Sequence, residues 1–194
     1  GIMLQNGDGI EKNQELGLAY LEKAANQGDL IGICNYGIAL YNDRNDKELG
    51  LKYLKRAADQ ELPLAQLNFG LCTEDKKLGH IYIENAYKAN YTKAFIPYAK
   101  DLMNGIGVEK NVQKAADVLI NLYDMKKKTK VLFLIIKCLK QIDYKQALKY
   151  IKVLADLEDD NKYICQIHKA RYQYGLELIK GKYVEQNNEE GIKY

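Results

Sequence analysis

Apolar residues return along this chain at intervals of three and four. In LGLAYLEKAANQG (residues 16–28) Leu16, Gly17, Tyr20, Leu21 and Ala24 fall on one face of a helix. The same order returns in LGLKYLKRAADQE (49–61) as Leu49, Gly50, Tyr53, Leu54 and Ala57, and in LGHIYIENAYKAN (78–90) as Leu78, Gly79, Tyr82, Ile83 and Ala86. A fainter copy, QALKYIKVLAD, keeps Ala147, Tyr150, Ile151 and Leu154, and residues 114–123 hold the same place with Ala115, Val118, Leu119 and Leu122. EGIKY begins another copy, with Gly191 and Tyr194. A helix written this often predicts a repeat architecture.

Between these helices lies a second pattern, A-x-x-x-[YF]-[GA]-x-x-L. It reads Ala94, Tyr98, Ala99, Leu102 and again Ala170, Tyr174, Gly175, Leu178, with variants Gly32, Tyr36, Gly37, Leu40 and Ala65, Phe69, Gly70, Thr73. It predicts the first helix of each unit, and the Leu-Gly pattern the second. The small residue after the aromatic lets a neighbouring helix approach closely. A helical glycine costs about 0.5–1 kcal/mol against alanine, so its recurrence points to packing that outweighs the cost.

The connections are patterned too. NGDGIEKN (6–13), NGIGVEKN (104–111) and KGKYVEQN (180–187) predict a glycine ending the first helix, a positive-φ glycine inside the loop, an inward Ile10, Val108 or Val184, and an Asn capping the second helix. No strand precedes these glycines and no Lys-Ser/Thr follows, which argues against a phosphate cradle. In NDRND (42–46) and TEDKK (73–77) the connection is shortened. Pro63 suits the first position of a helix, whereas Pro97 should kink or delay a first turn.

Taken in order, Y-G-x-x-L, G-x-G-[IV]-x-K-N and L-G-x-x-Y-L-x-K-A-A-x-Q-G resemble the Sel-1-like repeat, a relative of the tetratricopeptide repeat. The resemblance covers essentially the whole chain, in units at about 1–28, 29–61, 62–90, 91–128, 129–159 and 160–194, of which the first and last are partial. The aromatic pair with Trp that often precedes K-A-A is replaced here by Ala19-Tyr20 or Lys52-Tyr53. The unit at 129–159 is degenerate, with Phe133 as candidate for the aromatic place. The resemblance implies an all-α fold, a right-handed α-solenoid of antiparallel helix pairs, forming a single repeat domain over 1–194 that is a segment of a longer solenoid.

Composition narrows the function classes. With 29 Lys and Arg against 26 Asp and Glu the formal charge is +3, too weak a field to imply nucleic acid or an anionic membrane. The longest apolar run, residues 131–136, falls far short of the roughly 20 residues of a membrane span. Cys34, Cys72, Cys138 and Cys165 are scattered without a C-x-x-C, which reads as buried small hydrophobes and favours a reducing, cytoplasmic setting. The endoplasmic-reticulum lumen or secretion stays open, because Asn90-Tyr91-Thr92 forms a glycosylation sequon. His80 and His168 lack a partner at triad or metal spacing. The acidic run Glu158, Asp159, Asp160 and the basic run Lys126, Lys127, Lys128, Lys130 read as inter-repeat turns. No catalytic residue, metal ligand or cofactor site is assigned.

What remains is binding. The resemblance implies that the first helices line a concave surface, which places in the groove Cys34, Ile38 and Tyr41; Leu67, Leu71 and Glu74; Ile96, Lys100 and Met103; and Tyr172, Leu176 and Ile179. This row suits an extended or helical peptide of a partner protein, although several members could instead complete the core. The expected function is a non-catalytic interaction scaffold or adaptor. Alternatives from the family are a lumenal adaptor of endoplasmic-reticulum quality control, an activating subunit of a membrane enzyme, and a repeat-built hydrolase, the last disfavoured by the absence of paired cysteines in each unit.

Overall fold

Each second helix starts at an Asn or Asp whose side chain satisfies backbone N–H groups that the first turn leaves free. A computed structural model of the chain, which describes every residue except 7, 8, 10, 12, 43–45, 160 and 161, places six such caps. Asn13, Asp46, Asp75, Asn111, Asp143 and Asn187 open α2 (Gln14–Asn26), α4 (Lys47–Ala58), α6 (Lys76–Lys88), α8 (Val112–Lys126), α10 (Tyr144–Ala155) and α12 (Asn188–Lys193). The first helices are α1 (Ile2–Asn6), α3 (Leu30–Asn42), α5 (Pro63–Cys72), α7 (Phe95–Asn104), α9 (Thr129–Ile142) and α11 (Ile164–Lys180). No strand occurs among the described residues.

The loop chemistry follows the sequence. Gly105 and Gly181 end α7 and α11 in the left-handed region, and Gly9 and Gly107 carry positive φ within their loops. Val108 and Val184 are half-buried. The Asn13, Asn111 and Asn187 N–H groups donate back to the carbonyls of Leu4, Leu102 and Leu178 at 2.8, 2.8 and 3.0 Å. The predictions for Gly7 and Ile10, and the middle of the NDRND connection, lie outside the described residues. Pro63 is the first residue of α5. Pro97 lies in the first turn of α7, behind a 3-10 turn at Thr92–Ala94, where its missing N–H costs no helical bond.

The helices form two compact units, one of Gly1–Asp101 with Gly105–Glu109 and one of Leu102–Asn104 with Lys110–Tyr194. In the first unit the recurrent glycines meet. A β-carbon on Gly37 would stand 3.0 Å from the Gly50 carbonyl oxygen, and one on Gly70 would stand 2.6 Å from that of Gly79. With the backbones this close, the aromatics of α3 and α5 each meet the tyrosine of the paired second helix edge-on. Tyr36 and Tyr53 have ring centroids 4.9 Å apart, and Phe69 and Tyr82 4.8 Å. The core around them holds Ile33, Cys34, Leu54, Ala57, Ala65 and Phe69. The second unit repeats the device: a β-carbon on Gly175 would stand 2.7 Å from the Gly191 carbonyl oxygen, and Tyr174 meets Tyr194 edge-on at 5.2 Å. Its core includes Leu132, Leu148, Ile151, Leu154 and Ile167, and Phe133 is half-buried against Tyr163 at 5.4 Å.

The first pair departs from the pattern. Gly17, Leu21 and Ala25 are buried in α2, but Leu16 and Tyr20 are exposed.

Candidate protein-interaction surface

The twelve residues of the expected row separate by burial. In the first unit Cys34 and Leu67 are core residues, Ile38, Tyr41 and Ile96 are half-buried, and Leu71, Glu74 and Lys100 are exposed. In the second, Met103 is buried with its sulfur 3.5 Å from the Cys138 thiol, Leu176 is half-buried, and Tyr172 and Ile179 are exposed. Positions two, six and nine share one helical face, within about 60° of one another, but how far neighbouring helices cover that face differs from helix to helix, so it collects core and surface positions together. Leu71 and Tyr172 stand out within the row, at 55% and 68% exposed. Exposed Ile31 was missed; it lies seven residues before Ile38, so continuing the α3 row toward its N-terminus would have found it.

Tyr41 also has a structural bond, its hydroxyl donating to the Cys72 carbonyl at the end of α5 (3.2 Å), and the Lys47 ammonium lies 5.8 Å from its ring centroid. Its half-buried place therefore links α3 to α5 within the first unit. Glu74 and Lys100 add one charge of each sign to an otherwise apolar set.

The groups with potential chemistry are arranged for structure. His80 Nδ1 lies 3.1 Å from the Asp101 carboxylate, with the two residues 6% and 8% exposed, and its ring stacks on Tyr98 at 5.5 Å. Asp101 sits 21 residues beyond His80, too far along the chain for a spacing argument to detect. Burial pushes the Asp101 carboxyl above its ordinary range, while hydrogen bonding to His80, its charge and that of Lys76 oppose the shift. His168 and Asp159 are exposed and 3.6 Å apart. Asn90 is exposed with φ 58°. No cluster of His, Cys, Asp and Glu able to hold a metal ion occurs among the described residues.

The thiols are graded by burial. Cys34 is pushed up to about 11 by desolvation, against a hydrogen bond from Asn68, and burial also raises Cys72 and Cys138. Cys165 is exposed. Maleimide at mildly alkaline pH should therefore label Cys165 first and Cys72 more slowly, and reach Cys34 and Cys138 only on unfolding; peptide mapping over time checks the order.

The comparisons agree with this geometry. The Sel1 repeat profile matches residues 1–29, 32–62, 101–117 and 168–194, more than half of the chain. No curated protein matches it. Among solved structures, a Sel1 repeat protein from Oxalobacter formigenes is similar at 19% identity and a TM-score of 0.66, with 100% of this chain and 82% of that one covered. A protective antigen of uropathogenic Escherichia coli displaying an SLR fold is similar at 16% identity and a TM-score of 0.71; the match takes in 98% of this chain and 42% of that one. Caps, glycine crossings and edge-on aromatic pairs recur where the motifs do, and the chain belongs to the Sel1 repeat family.

Proposed function

We propose that the chain is a non-catalytic scaffold that holds polypeptide segments of partner proteins on the exposed faces of the first helices within each unit. Sel1 repeat proteins typically serve as protein-interaction scaffolds. The observation that carries the reading is the exposure of Leu71 and Tyr172, large apolar groups on first helices. No helix among the described residues is long and apolar enough to cross a membrane, which fits a role in binding other proteins.

Buried Cys34, Leu67 and Met103 then support the surface from beneath, while Leu71, Glu74, Lys100, Tyr172 and Ile179 touch partner segments. Exchanging Leu71 and Tyr172 together for aspartate should reduce chemical cross-linking to partner proteins at least about tenfold, since two apolar anchors of about 1.5–3 kcal/mol each are lost. Helical content, read by circular dichroism, should be retained because both side chains lie outside the core. Undiminished cross-linking overturns the assignment.

A further inference from the structure

Two turns leading from a second helix into the next first helix share one arrangement. In each, an aspartate ending the second helix binds a lysine one turn earlier and the hydroxyl of a tyrosine on the following second helix. Lys55 lies 2.7 Å from Asp59, which also accepts from Tyr82; Lys152 lies 2.7 Å from Asp156, which also accepts from Tyr194.

The residue following the first small residue of the first-helix motif differs between the two copies. In α11 it is Arg171, whose guanidinium donates to the Ala155 carbonyl (3.0 Å), the Leu157 carbonyl (2.8 Å) and the Asp159 carboxylate (2.7 Å). The second unit thus supplies its own arginine to its turn. At the equivalent place in α5 stands Gln66, shorter and neutral.

In the first unit a cleft of about 580 Å³ opens beside this turn, lined among others by Asp59, Glu61, Gln66, Ile81 and Tyr82. Gln66 is 6% exposed, and its Oε1 is buried without a hydrogen-bond partner. A buried acceptor left unmatched costs free energy that a donor would recover. Asp59 is already engaged by Lys55 and Tyr82, whereas Glu61 has no ion pair among the described residues. Lys88 and Asn85 also line the cleft, but the Lys88 ammonium is paired with Glu84 at 3.2 Å, so the Gln66 and Glu61 acceptors are left without a cationic donor.

We propose that this cleft receives an arginine side chain from a partner polypeptide, the Gln66 amide turning its buried carbonyl into the cleft to accept, with the Glu61 carboxylate, from the guanidinium, and Ile81 lying beside the apolar stem. Arg171 brings a guanidinium to the second unit's turn in cis; the arginine in trans brings one to the first unit's turn on different acceptors, because the Ala58 carbonyl there already accepts from the Glu61 N–H at 3.0 Å. A guanidinium fits better than an ammonium because its fork of donors can meet both acceptors at once. The site uses neither Leu71 nor Tyr172, so it stands or falls separately from the scaffold face.

The test is calorimetric titration of the 194-residue chain with an acetylated, amidated tripeptide carrying arginine between two leucines, beside its lysine and citrulline counterparts. The arginine peptide should bind, with the lysine and citrulline peptides at least about tenfold weaker, as expected for loss of a charge-assisted, two-point contact. Glu61→Gln and Gln66→Leu should each weaken binding by a similar factor. Gln66→Arg should remove the unmatched acceptor, place a cation in the cleft and abolish binding of the arginine peptide by repulsion, with circular dichroism confirming that each variant is folded. Absence of binding to the unmodified chain, equal binding of citrulline, or undiminished binding by folded Gln66→Arg overturns the proposal. Should Gln66→Leu fail to fold, exposed Glu61→Gln carries the same test.

Discussion

Gly70→Ala is expected to destabilise the chain by about 3 kcal/mol, although alanine is the better helix former by about 1 kcal/mol. The added β-carbon would stand 2.6 Å from the Gly79 carbonyl oxygen and 2.7 Å from Ile83 Cγ1. The Ile83 side chain can turn aside, but the carbonyl belongs to the backbone of α6, so α5 and α6 must separate. Separation spreads the Phe69–Tyr82 contact and loosens the grip of Tyr82 on Asp59. Urea unfolding followed by circular dichroism measures the difference; an unchanged or higher midpoint would mean that helix propensity outweighs the crossing.

The second large effect is expected at His80→Leu, about 3 kcal/mol at neutral pH, because it strips a buried carboxylate of its partner. Asp101 is held against His80 at 3.1 Å and is already pushed upward by burial. A carboxyl whose folded pKa exceeds its unfolded value binds its proton more tightly in the folded state. Its contribution to stability therefore falls as pH rises from the ordinary aspartate range of about 3.9 through the raised value. Removing His80 takes away an opposing influence and raises Asp101 further, so the loss should be small near pH 4 and largest near pH 7. Urea midpoints at the two pH values give the comparison, and an equal loss at both would assign the role of His80 to packing alone.

Much of the fold was legible because the constraints are local or periodic. Asn13, Asn111 and Asn187 announce caps through loop motifs whose chemistry is completed within a few residues. Gly37, Gly70 and Gly175 announce close crossings because little else repays a glycine inside a helix. The repeated tyrosine showed that something packs against it, though not that it meets a ring edge-on.

The interaction surface was less legible. A spacing rule placed Cys34, Leu67 and Met103 beside Leu71 and Tyr172, and only the packing of neighbouring helices separates buried from exposed members. The same holds for His80 with Asp101 and for the unmatched Gln66: each depends on residues that are distant along the chain or on a partner that is missing there.

By itself the sequence determined the helical repeats, their order, the caps at Asn13, Asn111 and Asn187 and the close crossings at Gly37, Gly70 and Gly175, since these rest on periodicity and on bonds between near neighbours. Only the tertiary structure decided which apolar side chains remain on the surface and which buried polar groups are matched. Burial and hydrogen-bond satisfaction are properties of the space between helices, and that space exists only once they have packed.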